Sequence, residues 1–254
     1  MVKHYSRGVT TGRYDRQARL AGFGEAALRR LRQASVLVVG AGGLGSPVLA
    51  YLAGAGVGRL RIVDDDVVEL ANLPRQVLYG EADVGGLKAT AAAARVRALN
   101  ADVAVEALAE RFTGTTAPAL LAGVVVAVDC SDNLATRHAL NRACLRAGVP
   151  AVWAAIGGWC GRCSVTLPSA GPCFECVVGP PVTTPAPARA PVFGPVCGAT
   201  GALAAAEAVK LMTGAGQPLV GRLANLDART GELTTIALAR DPRCQACGPG
   251  RSDG

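Results

Sequence analysis

The sequence predicts an α/β protein with a Rossmann-like mixed sheet, parallel in its N-terminal half and largely antiparallel in its C-terminal half. Three observations carry that reading. Short β-branched runs alternate with helical patterns as far as residue 156, as βαβ units around a parallel sheet do. The first strand runs into a glycine-rich turn, Gly40-x-Gly42-x-x-Gly45, that opens a helix. Between the strand ending at residue 156 and the next one from 162, Gly157 and Gly158 leave no room for a crossover helix, so the two pair antiparallel.

Each element follows from its residues. Residues 25–33 form a short helix rich in Leu and Arg, and residues 36–39 an unbroken Val and Leu run of the kind buried on both sheet faces. Gly45–Ala55 has helical periodicity with Leu49 and Leu52 on one face. Residues 60–63 make a second strand ending at Asp64, residues 86–99 a helix by propensity, and residues 103–108 and 124–128 further strands. Asp132 opens a helix to Ala147 as a capping or first-turn acid, and residues 152–156 follow as a strand. Residues 162–167 form its antiparallel neighbour. Pro180, Pro181, Pro185, Pro187, Pro191 and Pro195 exclude a helix or central strand and predict an extended, mobile loop. A helix returns from about Ala199 to Met212, with two strands at 222–226 and 233–238. With no internal repeat and no second core, residues 1–254 read as one domain, with halves 14–156 and 157–248 and a proline-rich crossover loop at 177–196.

Composition narrows the function classes. Of 254 residues, 50% are hydrophobic, enough for a large core without disulfides. The net charge of +7 suits an anionic ligand or acidic partner, while 4% aromatic residues are too few for base-stacking platforms, which disfavours nucleic acid. The longest apolar run, residues 117–128, contains Pro118 and falls short of the ~18 to 20 residues of a membrane span. The N-terminus carries Lys3, His4, Arg7, Arg13, Asp15 and Arg16 and has no apolar signal core. Nine cysteines without an export signal point to a cytoplasmic protein using metal or thiol chemistry.

In the glycine turn, Gly40 permits the tight bend, Gly42 lets backbone approach phosphate, and Gly45 allows close helix–sheet packing. The helix N-terminus supplies amide hydrogens to the anion, and Asp64 stands where an acid holds a ribose hydroxyl. A dinucleotide needs little more. Here Arg75 and Lys88 add two cations suited to a triphosphate, and Asp132, just past a strand, is placed to hold magnesium between phosphate oxygens. The bland alternatives are a solvated Arg and Lys and a helix-capping Asp.

Five segments together resemble the ThiF/MoeB/HesA family of ubiquitin-activating-enzyme-like adenylyltransferases. They are Arg13-Tyr14-Asp15-Arg16-Gln17, the turn GAGGLGS, DDDVVELANLPRQ, the GGLKA stretch, and DCSDN at 129–133. The likeness runs from Arg13 to Gly248, and NLPRQ with DCSDN is its specific part. The resemblance implies that ATP and the C-terminal glycine carboxylate of a small ubiquitin-like sulfur carrier ending in Gly-Gly give an acyl-adenylate and pyrophosphate. It further implies that Gly43, Asp64, Asn72, Arg75, Gln76, Lys88, Asp132 and Asn133 contact ATP, with Asp64 on the ribose, Arg75 and Lys88 on the phosphates, and Asp132 on magnesium. Arg16 would reach the phosphates of the other subunit in a homodimer. No general base is needed, because a carboxylate is already ionised at neutral pH; that fits a chain whose histidines are only His4 and His138.

Cys173-x-x-Cys176 and Cys244-x-x-Cys247 sit beside Gly171, Pro172, Pro242 and Gly248 as two knuckles that suit tetrahedral zinc. The resemblance assigns these four positions to a structural zinc. Cys160 and Cys163 form a competing pair, read as strand packing, and Cys130 and Cys144 read as core. Many family members carry a cysteine in the crossover loop for covalent sulfur or thioester transfer. Here that loop has none, and the nearest thiol is Cys197, just before the helix at Ala199. With no rhodanese-like extension after residue 254, the sulfur donor is expected to be a separate protein. Three other readings compete: adenylation of a different carboxylate or amide, peptide or tRNA-linked; an NAD-binding oxidoreductase; and a zinc-bearing adaptor or nucleic-acid binder.

Overall fold

Val36, Leu37 and Val38, each fully buried, form the centre of β1 (Ser35–Val39), the strand from which the sheet grows. The computed structural model describes residues 12–182 and 191–248. Following β1 come α3 (Gly45–Ala55), β2 (Arg59–Val63), α4 (Lys88–Leu99), β3 (Ala104–Leu108), α5 (Ala117–Leu121), β4 (Val126–Asp129), α6 (Leu134–Ala147) and β5 (Ala151–Gly157). Two helices, α1 (Asp15–Ala18) and α2 (Gly24–Gln33), precede β1. After β5 the chain forms β6 (Cys160–Thr166), α7 (Phe174–Val178), α8 (Gly194–Thr213), β7 (Arg222–Asp227) and β8 (Glu232–Ala237).

These strands make one eight-stranded sheet in the order β3-β2-β1-β4-β5-β6-β7-β8. Pairing is parallel from β3 to β5 and antiparallel from β5 to β8, as expected. Alternate residues of β1 feed two cores. Val36 and Val38 pack with Leu49 and Leu52 of α3, Val96 of α4 and Ala204 and Ala208 of α8. Leu37 and Val39 pack with Leu120 and Leu121 of α5 and Leu140 and Cys144 of α6. Each such fully buried Leu or Val contributes about 1.5–3 kcal/mol. β2 and β3 lie on one side of β1 and β4 on the other, so the chain reverses direction across the sheet between β1 and β4. The crevice outside the carboxyl ends of those two strands is where such sheets bind ligands.

Several sequence expectations need correction. α8 starts at Gly194, not near Ala199, because Pro195 falls in its first turn, where the missing N–H has no intrahelical partner to lose. Cys197 therefore lies within α8, not before it. The cap of α6 is Asn133, whose side chain accepts the Thr136 N–H at 2.9 Å; Asp132 stands outside the helix and is exposed. α4 begins at Lys88, after Gly85 and Gly86, and the apolar run at 117–128 contains α5 with Pro118 in its first turn. Part of the proline-rich loop, residues 183–190, lies outside the described residues. Among the described residues α8 alone has the length and mean hydropathy of a membrane span, yet it carries Glu207 and Lys210 and packs against α2, α3, β4, β5 and β6.

Asn100, at the end of α4, ties three elements together. Its buried Nδ2 donates to Tyr14 Oη and to Ala53 O, both at 2.7 Å, and its Oδ1 accepts the Asp102 N–H at 3.2 Å. Asn100→Ala leaves these groups without partners and is expected to lower unfolding stability by about 1–3 kcal/mol. The measurement is the urea midpoint at constant m; an unchanged midpoint would show that water replaces the bonds freely.

Candidate functional site

The glycine turn exists because two backbones meet there without side chains between them. Gly40 has φ +93, and a Cβ on it would lie 2.7 Å from Cys130 O, at the end of β4. A Cβ on Gly45 would stand 2.1 Å from Gly40 O. The turn is thereby closed directly onto residues 130–131, with the N-terminus of α3 facing the crevice.

The Ala41 peptide inside the turn is held from both sides. Its N–H donates to Asp64 Oδ2 at 2.7 Å, and its carbonyl accepts the Tyr79 hydroxyl at 2.7 Å. Asp64 Oδ1 takes the Asp66 N–H at 2.9 Å. Burial raises the Asp64 pKa, opposed by those two N–H bonds and by the charge of Lys88. Burial and the Asp64 carboxylate push the Tyr79 phenol up, so it remains a donor. The Tyr79 hydroxyl also lies 3.2 Å from Lys88 O, which brings the start of α4 to the turn. The Lys88 side chain is only 7% exposed, and its Nζ pairs with Asp66 Oδ2 at 2.8 Å.

The short segment after Asn72 lines the other wall. Asn72 is buried and donates from Nδ2 to Glu69 Oε2 at 3.3 Å. Gln76 is buried, its Nε2 is 3.5 Å from where a Gly42 Cβ would sit, and its Oε1 accepts no hydrogen bond from the described residues. Arg75 Cγ is 3.6 Å from the corresponding position on Gly43, and its Nη1 donates to Ala71 O at 3.1 Å. Cys197 Sγ lies 3.0 Å from that same Gly43 Cβ position. Its thiol is buried, which raises its pKa against the opposing charge of Arg75.

On the far side, buried Asp129 accepts from the Ser131 N–H at 3.0 Å and from Ser131 Oγ at 2.6 Å, fixing the DCSDN bend. Buried Arg137 donates to Ser131 O and, at 2.8 Å, to Ala154 O. Asp132 and Asn133 follow immediately and are exposed. The fold thus gathers Gly40, Gly42, Gly43, Gly45, Asp64, Asn72, Arg75, Gln76 and Lys88 around one crevice, with Asp132 and Asn133 on the adjoining loop. Arg16 is not brought there. It is exposed on α1, and Tyr14, the residue that precedes this helix, packs against Gly56 at the opposite end of α3. Sequence reasoning did not reach Tyr79 or Arg137, and it marked Asp129 and Ser131 only as part of the DCSDN motif, without their roles; Asp129, two residues before Ser131, carries the local signal of an Asx-type turn.

The four knuckle cysteines converge. Their Sγ atoms all lie within 4.8 Å of one another, with Cys173 to Cys176 at 3.9 Å, Cys173 to Cys244 at 3.6 Å and Cys176 to Cys247 at 3.5 Å. A tetrahedron of thiolates about 2.3 Å from zinc has edges of about 3.8 Å, so the donor set and spacing fit that ion. Cys163 is fully buried and Cys160 half-buried on β6, apart from this cluster.

Comparison with known proteins gives the family and the fold. The ThiF family model matches residues 14–246. The chain is 45% identical over 244 residues to the sulfur carrier protein adenylyltransferase of Thermus thermophilus, covering 93% of this chain and 90% of that protein. It is 42% identical over 244 residues to the SAMP-activating enzyme E1 of Haloferax volcanii, covering 95% and 90%. A crystal structure of Escherichia coli MccB superposes with a TM-score of 0.85 at 24% identity, covering 95% of this chain and 76% of that one, a likeness of fold alone. With both similarity and match spanning nearly its whole length, the chain belongs to the ThiF family.

Proposed function

We propose that this chain is an adenylyltransferase that activates the C-terminal glycine carboxylate of a small ubiquitin-like sulfur carrier as an acyl-adenylate, consuming ATP and releasing pyrophosphate. The observation that carries the reading is the convergence of Arg75, Lys88 and the 129–133 loop on the glycine turn. The names of the Thermus and Haloferax relatives support the substrate class.

The chemistry asks a carboxylate to attack the innermost phosphorus of a polyanion. Amides at the start of α3 hold phosphate oxygens, and Asp64, its two oxygens already anchored by backbone, offers its remaining lone pairs to the ribose. Arg75 and Lys88 offset the repulsion between the two anions and take up charge on the leaving pyrophosphate. Lys88 reaches the phosphates by exchanging its Asp66 partner for them. Asp132 is the residue that would hold magnesium, which supplies further charge neutralisation at the phosphate oxygens when bound. The attacking carboxylate needs no base.

In this reading the chain acts as a single domain, with residues 14–156 holding the nucleotide and residues 157–248 receiving the carrier. The cysteine cluster holds a structural zinc, since four protein thiolates leave no position open for water. Placement of α1 at the opposite end of α3 supports an Arg16 that serves only the partner's site in a homodimer. Sulfur comes from a separate donor. Burial raises the Cys197 thiol pKa, which disfavours the thiolate that a nucleophile needs.

Lys88→Ala and Asp132→Ala should each cut carrier-dependent ATP–pyrophosphate exchange by about 10²-fold or more while leaving the circular dichroism spectrum unchanged. Near-normal exchange in either variant would remove that residue from the site, and exchange that needs no carrier would favour a different acceptor. For the metal, elemental analysis should find about one zinc per wild-type chain, retained in Cys160→Ser and lost in Cys244→Ser. The reverse pattern would move the zinc to the other cysteine pair.

A further inference from the structure

The cysteine cluster and the 129–133 loop are served by the same helix. α6 has 14 residues, about 21 Å at 1.5 Å per residue, and it is bonded at both regions. In its first turns, Asn133 caps it and Arg137 grips Ser131 O, the carbonyl just before Asp132, while also bonding Ala154 O of β5. One turn further on, a second set of bonds clasps the first knuckle. Asn141 Oδ1 accepts the Phe174 N–H at 3.1 Å, and its Nδ2 points to Cys173 Sγ at 3.7 Å. Arg142 makes a two-pronged bond to Glu175, Nε to Oε1 at 2.8 Å and Nη2 to Oε2 at 3.0 Å. His138 stacks edge-on against Phe174 at 5.4 Å, and Leu145 packs with Cys173, Cys244 and Cys247.

The Glu175 side chain is only 1% exposed and lies between Cys173 and Cys176 in the chain. Its position and that of the Phe174 amide are therefore set by where the two thiolates sit. A displaced knuckle cannot keep these bonds unless α6 moves with it, and a shift of α6 is carried by Arg137 into the loop bearing Asp132.

We infer that occupancy of the cysteine cluster is coupled to nucleotide binding through α6, with Asn141 and Arg142 as the positioning residues that clasp the knuckle. The inference rests on the reading that residues 129–133 hold the nucleotide. Because the coupling is a free energy shared by two sites, it is reciprocal: zinc tightens the nucleotide by the factor by which the nucleotide tightens zinc.

The test is calorimetric titration of the full chain with the magnesium complex of a non-hydrolysable α,β-methylene ATP analogue. Zinc-loaded and chelator-stripped protein are compared, for wild type and for Asn141→Ala/Arg142→Ala. Stripping zinc should weaken analogue binding about tenfold in wild type, and in the double variant the ratio should fall toward one. Amide exchange across residues 129–138 should quicken when either the zinc or the clasp is removed. If stripped protein unfolds, the zinc-loaded double variant decides alone: normal zinc content with weakened analogue binding supports the coupling. Binding that ignores both zinc and clasp overturns it and leaves the functional reading intact. Failure of zinc-loaded wild type to bind the analogue overturns both.

Discussion

The site depends on one close approach, that of the β1–α3 turn to the end of β4. Gly40 lies against the Cys130 carbonyl and Gly45 against the Gly40 carbonyl, at separations that admit no side chain. That contact sits where the sheet reverses its order, so α3 begins on one wall of the crevice and the α6 loop on the other. Asp64 and Tyr79 then hold the Ala41 peptide by its N–H and its carbonyl, leaving the turn little freedom to open. Every other candidate residue is positioned relative to this fixed loop.

A parallel sheet also gives the crevice its electrostatic character. Crossover helices start at the carboxyl ends of the strands, so the positive ends of the α3 and α6 dipoles face the same space. Helix ends alone suit a pyrophosphate. The cations on the α4 start and on the segment after Asn72 make the crevice suited to more negative charge. Lys88 is almost fully enclosed and pairs with Asp66 beside Asp64; in the proposed reading a triphosphate would compete with this exposed carboxylate for the buried ammonium. An ammonium held this way is oriented in advance, which in the proposed reading would lower the reorganisation the reaction requires.

What the sequence disclosed, and what it hid, follows from the range of the interactions involved. Strands such as β1 and β4 were legible because burial on both faces leaves an unbroken apolar run, and the glycine turn because its spacing is itself the structural requirement. Each C-x-x-C pair was legible because its spacing is local, whereas the joining of Cys173/Cys176 with Cys244/Cys247 rather than Cys160/Cys163 came from the family resemblance, since the joined pairs lie 71 positions apart. The start of α8 was hidden because Pro195 ends a helix in most positions and opens one only in the first turn. Asp132 and Asn133 are both good caps, so only the backbone could show that Asn133 takes the Thr136 N–H and frees Asp132. Tyr79 and Arg137 were out of reach for a further reason. Tyr79 acts on Ala41, 38 positions away, and Arg137 bonds a carbonyl on β5, partners that carry no mark of the interaction in sequence.

The two halves of the sheet solve the problem of burial differently. The parallel half is covered on both faces by helices, whereas β8 is exposed along its whole length, and no helix or strand follows it among the described residues. The segment that carries Cys244 and Cys247 therefore has little apolar surface of its own with which to dock. Cys173 and Cys244 are 71 positions apart, so holding them together closes a long loop at an entropic cost that weak packing of Ala246 and Leu145 meets poorly. Metal–thiolate bonds at the four converged cysteines would supply that free energy in a small volume. An ion held there would lie against α6, which among the described residues bonds both the knuckle and the candidate nucleotide loop, so under the proposed coupling the bonds that hold the C-terminal segment would also act on the crevice.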